Sequence, residues 1–179
     1  MALLPETREA MMDAIPHLRA FAISLTGNVD HADDLVQETL ARGLANIDRF
    51  APGTSMRAWL FTILRNQFHT AYRKRRREVE DPDGIMAARL STAPAQGGHL
   101  DLEDLKTALA KLPYEQREAL LLVAAEGFSY EETAAICGMA VGTIKSRINR
   151  ARHRLAELVG VSSTDDIGVD RVIRAAMRE

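Results

Sequence analysis

Apolar residues recur at three- and four-residue spacing in two separate stretches of the chain, which is the period of amphipathic helices. In the first stretch, Pro16 interrupts the pattern before a series that ends at Gly27. The members of that series are Leu18, Phe21, Ala22 and Leu25. Asn28 or Asp30 can cap a following helix. The apolar positions of that helix are Leu35, Val36, Leu40 and Leu44.

A turn and a third helix complete the first stretch. Residues 49–54 contain a Pro-Gly pair, which predicts a turn. Ser55 is a natural N-cap for the helix that follows. The apolar positions of this helix are Met56, Leu60, Ile63, Leu64, Phe68 and Ala71. The helix runs directly into five consecutive cations at residues 73–77.

The helical period returns at Asp101, with leucines at positions 102, 105, 109 and 112. Pro113 suits the first turn of a second helix, which carries the apolar residues 120–123 and ends at Gly127. Between the two stretches, residues 78–100 are rich in Gly and Pro and lack a sustained period. We therefore predict a flexible linker there.

A short capped helix, a glycine-containing turn and a longer basic helix follow, which is the pattern of a helix-turn-helix. Ser129 and Glu132 have capping-box spacing, and residues 137–139 break the short helix. The long helix is predicted from about Val141 to Leu158. A purely structural αα-hairpin that uses the same glycine is the alternative interpretation.

Helical periodicity separates the two faces of the long helix. Ile144, Ile148, Ala151 and Leu155 share the inward face at about 100° per residue. The residues expected to face outward are Gly142, Lys145, Ser146, Asn149 and His153, with Arg150 at the edge. Lys, Ser and Asn side chains can hydrogen-bond base edges, and a glycine lets the backbone approach a phosphate. Arg147, Arg152 and Arg154 are better placed for phosphate contacts.

These patterns predict an all-α chain of two small helical domains joined by the flexible linker. The first domain covers residues 1–77, the linker 78–100, and the helix-turn-helix domain 101–160. Residues 161–179 form a C-terminal tail to which the sequence assigns no role.

Composition narrows the class of protein. The 179 residues are 46% hydrophobic and 27% charged, as in a folded domain. The longest apolar run, residues 119–125, is far shorter than the roughly twenty residues of a membrane span. The amino terminus lacks the apolar stretch of a secretory signal. We therefore expect a cytoplasmic protein with no membrane contact.

The residues that usually carry chemistry lack the spacing it requires. Cys137 is the only cysteine, which excludes a disulfide scaffold and a thiolate metal cluster. The five histidines lack metal-ligand spacing, and no Gly-rich phosphate loop is present. The acid pairs at 33–34 and 131–132 lie near helix starts, as capping or surface charges do. We expect no enzyme activity, cofactor or small-molecule ligand.

Charge is segregated along the chain although the net charge is only −2. Residues 65–77 hold six cations and no acid, and residues 145–154 hold five cations and no acid. Two acid-free strips suggest two contacts with one polyanion, whereas a single strip could be an ordinary solvated face. The aromatic residues Trp59, Phe61, Phe68 and Tyr72 share one predicted helix with the cations of the first strip, as in proteins that hold unstacked bases. For Phe61 and Phe68 a place in the core is the better interpretation.

Three segments together resemble the two-domain sigma factors of bacterial RNA polymerase. They are HADDLVQETLARG, then PGTSMRAWLFTILRN ahead of YRKRRRE, and LPYEQREALLLVAAEGFSYEETAAICGMAVGTIKSRINRARHRL. The resemblance is to the extracytoplasmic-function (ECF) type, with only regions 2 and 4. Within that type, the amino-acid sequence is most similar to the EcfG-type general stress response sigma factors of alphaproteobacteria.

The resemblance implies roles for three sets of residues. Core polymerase would bind, through its β′ clamp helices, to Asp34, Gln37, Glu38, Ala41 and Arg42. The −10 element, with one base flipped into a pocket, would meet Phe50, Gly53, Ser55, Trp59, Arg65, Asn66, Arg73, Lys74 and Arg76. The −35 element would meet Gly142, Thr143, Lys145, Ser146, Arg147, Asn149 and Arg150. The implied promoter is GGAAC-like at −35 and CGTT-like at −10.

The resemblance also implies partners and competitors. The partners are core polymerase (β′ clamp helices and β flap), promoter DNA and an anti-sigma factor of the NepR type. One competing interpretation is a sigma-like decoy that binds only the anti-sigma protein, which would have no use for DNA-reading cations. Another is a simple helix-turn-helix regulator, which would leave the first domain without a role.

Overall fold

Seven α-helices and one 3-10 turn make up the part of the chain that the computed structural model describes, residues 4–78, 102–160 and Ile173. The chain divides into two units, Met1–Glu80 and Asp81–Glu179. The first unit contains α1 (Pro5–Thr26), α2 (Val29–Ala45), the 3-10 turn Ile47–Arg49 and α3 (Met56–Glu78). The second contains α4 (Leu102–Ala110), α5 (Tyr114–Ala124), α6 (Tyr130–Cys137) and α7 (Val141–Val159). No strand occurs in these ranges, which confirms the all-α fold class.

The core of the first unit lies between α1, α2 and α3. Leu18, Leu60 and Leu64 are fully buried, and the rings of Phe21 and Phe61 pack with centroids 5.1 Å apart. A buried polar contact joins α2 to α3, because the hydroxyl of Thr39 donates to Gln67 Oε1 at 2.8 Å. A buried polar group strongly prefers such a partner, so this contact helps to fix how the two helices align.

The interruption expected at Pro16 is wrong, because α1 continues through that residue. Proline removes one backbone hydrogen bond, to the carbonyl group four residues earlier. Pro16 and Met12 both lie on the exposed face, where water can bind the freed carbonyl group. Met11, Ala14 and Leu18 remain buried on the opposite face and hold the helix against its neighbours.

The expected caps of the first unit are present. Asn28 Oδ1 accepts from the backbone N–H of His31 at 2.9 Å, which selects Asn28 over Asp30 as the N-cap of α2. Ser55 Oγ accepts from the N–H of Ala58 at 3.1 Å at the start of α3. Leu44 was expected on the apolar face of α2, but its side chain is 47% exposed near the end of that helix.

In the second unit, α7 packs against α4, α5 and α6. Its buried residues meet a core that includes Leu105 and the run Leu120, Leu121 and Leu122. Pro113 is the N-cap of α5 and not part of its first turn, so α5 begins one residue later than expected. The buried carboxylate of Glu118 contacts Cys137 Sγ at 3.9 Å, which places the cysteine inside this core.

Within the helix-turn-helix, α6 is capped at both ends. Ser129 Oγ accepts from the N–H of Glu132 at 3.0 Å, and Glu132 Oε2 accepts from the N–H of Ser129 at 2.7 Å. This confirms the capping box. Gly138 ends α6 in the left-handed region, with φ of +63°, which a glycine adopts without steric cost.

Within the described ranges, none of the helices is both long and apolar enough to cross a membrane. The predicted linker lies outside the described residues except for Glu78, and the C-terminal tail does so except for Ile173, which is buried.

Candidate nucleic-acid interfaces

The inward and outward faces of α7 are those that helical periodicity predicts. Ile144, Ile148, Ala151 and Leu155 are at most 1% exposed. Seven residues of the outer face are candidates for contact with bases or phosphates. The exposed ones are Gly142, Thr143, Lys145, Asn149 and Arg150, and the half-buried ones are Ser146 and Arg147. The helix therefore presents hydrogen-bond donors at positions that its own packing fixes.

The amino terminus of α7 is open. Its N-cap residue, Ala140, has no side chain that can cap the free backbone N–H groups, and the first turn holds no acid. A Cβ atom built on Gly142 would have nothing within 4 Å. Free N–H groups and the helix dipole attract a phosphate to such a terminus, and the glycine leaves room for it.

The prediction that Arg152 contacts a phosphate is wrong. Its side chain is only 8% exposed, because it lies four residues after Ile148 and three before Leu155, on the packed side of the helix. Arg147 keeps part of its surface, although its Nη1 atom is buried and has no hydrogen-bond partner in the structure. Arg154 is exposed and pairs with Glu157 at 3.1 Å.

A contact that the sequence did not predict joins α6 to α7. The ammonium group of Lys145 lies over the ring of Tyr130, with Nζ 5.9 Å from the ring centroid. Fifteen residues and a turn separate the two, so helical periodicity gives no sign of the contact.

In the first unit, the carboxyl-terminal half of α3 carries the other basic strip. Thr70, Arg73, Lys74 and Arg77 line an open cleft of about 390 Å³. Asn66 is exposed on the same helix. The side chain of Arg76 lies outside the described part of the chain.

Arg65 is less exposed than expected for a residue that contacts a base. It is 8% exposed, so most of its side chain lies inside the first unit. Arg65 lies four residues after Phe61, so it is on the same face of α3 as that fully buried ring. Phe61 is in the core as expected, whereas Phe68 is half-buried and stacks on Tyr72 with centroids 6.0 Å apart.

The loop before α3 has an aromatic support. The rings of Phe50 and Trp59 pack with centroids 5.4 Å apart. Gly53 has φ of +86°, a left-handed turn conformation that suits glycine, and residues 51–55 are exposed. The structure thus brings Phe50, Trp59, Gly53 and Ser55 to one short segment of the first unit.

Gly43 lets α2 approach α3 beside this loop. A Cβ atom at Gly43 would lie 3.0 Å from Leu60 Cδ2 and 3.6 Å from the ring of Trp59. The indole therefore packs between the end of α2 and Phe50.

The five candidate polymerase-binding residues form an exposed face of α2. They are Asp34, Gln37, Glu38, Ala41 and Arg42. Arg42 Nη2 donates to Glu38 Oε1 at 2.7 Å. On the neighbouring side, Asp33 binds Arg19 at 2.7 Å, and this hydrogen bond together with the negative charge of Asp33 raises the pKa of Arg19.

Comparison with known proteins assigns both units. The family model for Sigma-70 region 2 matches residues 11–78, and that for Sigma-70, region 4 matches residues 102–155. The ECF RNA polymerase sigma factor EcfG of Rhodopseudomonas palustris (strain TIE-1) is 60% identical over 177 residues, which are 99% of this chain and 98% of that relative. The chain belongs to the ECF sigma factors. Its helix-turn-helix lies in region 4 of the sigma factor, and α1, α2 and α3 lie in region 2.

Solved structures agree with this assignment. The sigma factor RpoE from Bartonella quintana, crystallised in complex with the anti-sigma factor NepR, is 52% identical. The match covers 89% of this sigma factor and 100% of that chain, with a TM-score of 0.76. The anti-anti-sigma factor PhyR, also from Bartonella quintana, is 20% identical with a TM-score of 0.56 over 84% of this chain and 50% of that one. That second likeness shows a shared fold alone.

Proposed function

We propose that this sigma factor directs core RNA polymerase to promoters with a −35 and a −10 element and initiates transcription of general stress response genes. The observation that carries the proposal is the outer face of α7, where exposed donors stand beside an uncapped helix terminus. In this proposal, residues 101–160 bind the −35 element, residues 1–77 bind polymerase and the −10 element, and residues 78–100 link them.

At the −35 element, α7 enters the major groove. Lys145, Ser146 and Asn149 supply the donors that read base edges, since each has an exposed or half-buried side chain on the outer face. Thr143, Arg147 and Arg150 hold the flanking backbone, and a phosphate binds at the open terminus beside Gly142.

At the −10 element, the loop before α3 receives a flipped base. Exposed residues 51–55 form its walls, and the Phe50–Trp59 pair supports it from below. Asn66 is exposed on α3, where it can meet neighbouring nucleotides. Arg73, Lys74 and Arg76 bind the backbone of the melted strand. Arg65 has no place in this interface because it is buried.

Core polymerase binds the exposed face of α2 through its β′ clamp helices, and the β flap binds region 4. The face mixes acids, an amide and Arg42 around a small residue, Ala41, so a partner helix can approach closely there. The protein itself makes and breaks no bonds; it acts in the cytoplasm as a subunit of the polymerase, without cofactor.

An anti-sigma factor of the NepR type controls it. The support is the relative that is 52% identical and was crystallised with NepR. Sequestration by such a partner would keep the sigma factor from polymerase until stress releases it.

Run-off transcription tests the proposal. Purified core polymerase is given a template with a GGAAC-like −35 and a CGTT-like −10 element, with and without this protein. We expect a transcript only when the protein and both elements are present. Core binding without a transcript would contradict the promoter assignment. Loss of both core binding and transcript, with NepR binding retained, would contradict the sigma activity and favour the decoy.

A further inference from the structure

The contact between Lys145 and Tyr130 gives a base-reading side chain a defined place before DNA is bound. Lys145 is exposed, and a free lysine side chain samples many rotamers in water. Here its Nζ lies 5.9 Å from the centroid of the half-buried Tyr130 ring, within the range of a cation–π interaction. The attraction engages the side of the ammonium group that faces the ring and leaves the N–H donors on its other side available.

The ring itself is held in place by the local structure. Tyr130 is the first residue of α6, directly after Ser129, whose capping box with Glu132 fixes that helix start. At the other end of α6, Gly138 turns the chain into α7, and the N–H of Met139 donates to the carbonyl of Ala134 at 3.0 Å. The distance between the ring and the second turn of α7 is therefore set by the motif.

We propose that Tyr130 is a positioning residue for −35 recognition, acting through Lys145. By holding the ammonium group over its ring, Tyr130 restricts Lys145 to conformations that point along the outer face of α7. Fewer rotamers are then lost when Lys145 binds an acceptor on a base edge, which favours the correct base pair. Tyr130 thus contributes to the choice of base although it need not touch a base.

This inference depends on the proposed function, in which α7 reads the −35 element. It makes a specific claim within that function, because a tyrosine at this place could instead bind a phosphate through its hydroxyl group. Those two roles differ in what they require. Positioning needs the aromatic ring and Lys145, whereas phosphate binding needs the hydroxyl group and is independent of Lys145.

The test uses reconstituted holoenzyme and promoter duplexes in which each −35 base pair is replaced in turn. Lys145→Ala first identifies the base pair at which Lys145 discriminates. We expect Tyr130→Leu to reduce discrimination at that same pair by about two- to five-fold, the strength of an exposed cation–π contact. Tyr130→Phe, which keeps the ring, should retain the discrimination of the original protein.

A double-mutant cycle completes the test. In the Lys145→Ala background, Tyr130→Leu should have no further effect on base choice. Equal loss of affinity on every duplex, or a Tyr130→Leu effect that persists without Lys145, would overturn the proposal. So would Tyr130→Phe behaving like Tyr130→Leu. Thermal unfolding of each free variant establishes that it folds.

Failure of the proposed function would look different. If the original holoenzyme preferred no base at any −35 position, the assignment of α7 would be wrong, and this inference with it. If base preference is intact but insensitive to Tyr130→Leu, only the positioning role is overturned.

Discussion

The two basic strips differ in how their cations relate to the core. In α7, buried Ile144, Ile148 and Leu155 alternate with exposed polar residues along the helix, so packing fixes which positions of the helix face outward. In α3 the last buried position among the described residues is His69, and the cations of residues 73–77 follow it. One strip is suited to reading individual bases, and the other to neutralising a backbone whatever its sequence.

The two units also differ in their helical glycines. Gly43 of α2 is buried against Leu60, Met11 and Trp59, whereas Gly142 of α7 has open space around it. The first glycine serves packing inside the protein. The second leaves the helix terminus accessible from outside.

Replacing Gly43 should have the largest effect. Gly43→Leu inserts a side chain where even a Cβ atom would lie 3.0 Å from Leu60 Cδ2. Overpacking of this kind costs about 3 kcal/mol of unfolding free energy, measurable by urea denaturation followed by circular dichroism. Gly142→Leu is the matched control and should cost much less. Similar losses in both variants would mean that the difference between the two glycines is not one of packing.

Removing Lys145 comes next. Lys145→Ala should weaken holoenzyme binding by about 1–3 kcal/mol at the preferred −35 base pair and relax base choice there. Competition titrations with substituted duplexes measure both. Lys106→Ala is the control, because that lysine is exposed and paired with Glu103 at 3.2 Å in α4. An equal loss on random DNA would reassign Lys145 to a phosphate contact and remove the contrast with α3.

Neutralising the α3 strip should act on all sequences alike. Arg73→Gln together with Arg77→Gln removes two cations that line the open cleft. The slope of log affinity against log salt should decrease in magnitude by about 1.4, at roughly 0.7 for each single-strand phosphate contact. Lys106→Gln again serves as the control. An unchanged slope would point to a structural role for these arginines.

The smallest effect is expected at Gly142. Gly142→Ala should raise the unfolding free energy by up to about 1 kcal/mol, because alanine is the better helix former and nothing obstructs its Cβ. The same variant should bind promoter DNA less tightly, since the methyl group occupies the space for a phosphate. Stability and binding that increase together would contradict a close approach of the backbone here.

The fold was largely predictable because its signals are local. Helical periodicity identified the faces of α7, and the caps at Asn28, Ser55 and Ser129 depend on residues only three apart. The same periodicity also places Arg65 and Arg152 on the packed sides of their helices, where both are buried. Each lies one helix turn from a buried apolar residue, and a long charged side chain can pack its stem into a core.

Other features of the site needed the tertiary structure. The contact of Lys145 with Tyr130 and the close approach at Gly43 both join separate helices, so no spacing within one helix indicates them. The roles given to the polymerase-binding face of α2 came from family resemblance, since its exposed polar side chains alone look like an ordinary solvated face.

The packing of Trp59 gives the protein an internal spectroscopic label. It is the only tryptophan of the chain, and its ring lies against Phe50, beside the loop proposed to hold a flipped base. Fluorotryptophan incorporated during expression would yield a single fluorine resonance. Within a holoenzyme assembled from unlabelled core polymerase, that resonance would follow the opening of the −10 element without a signal from any other site.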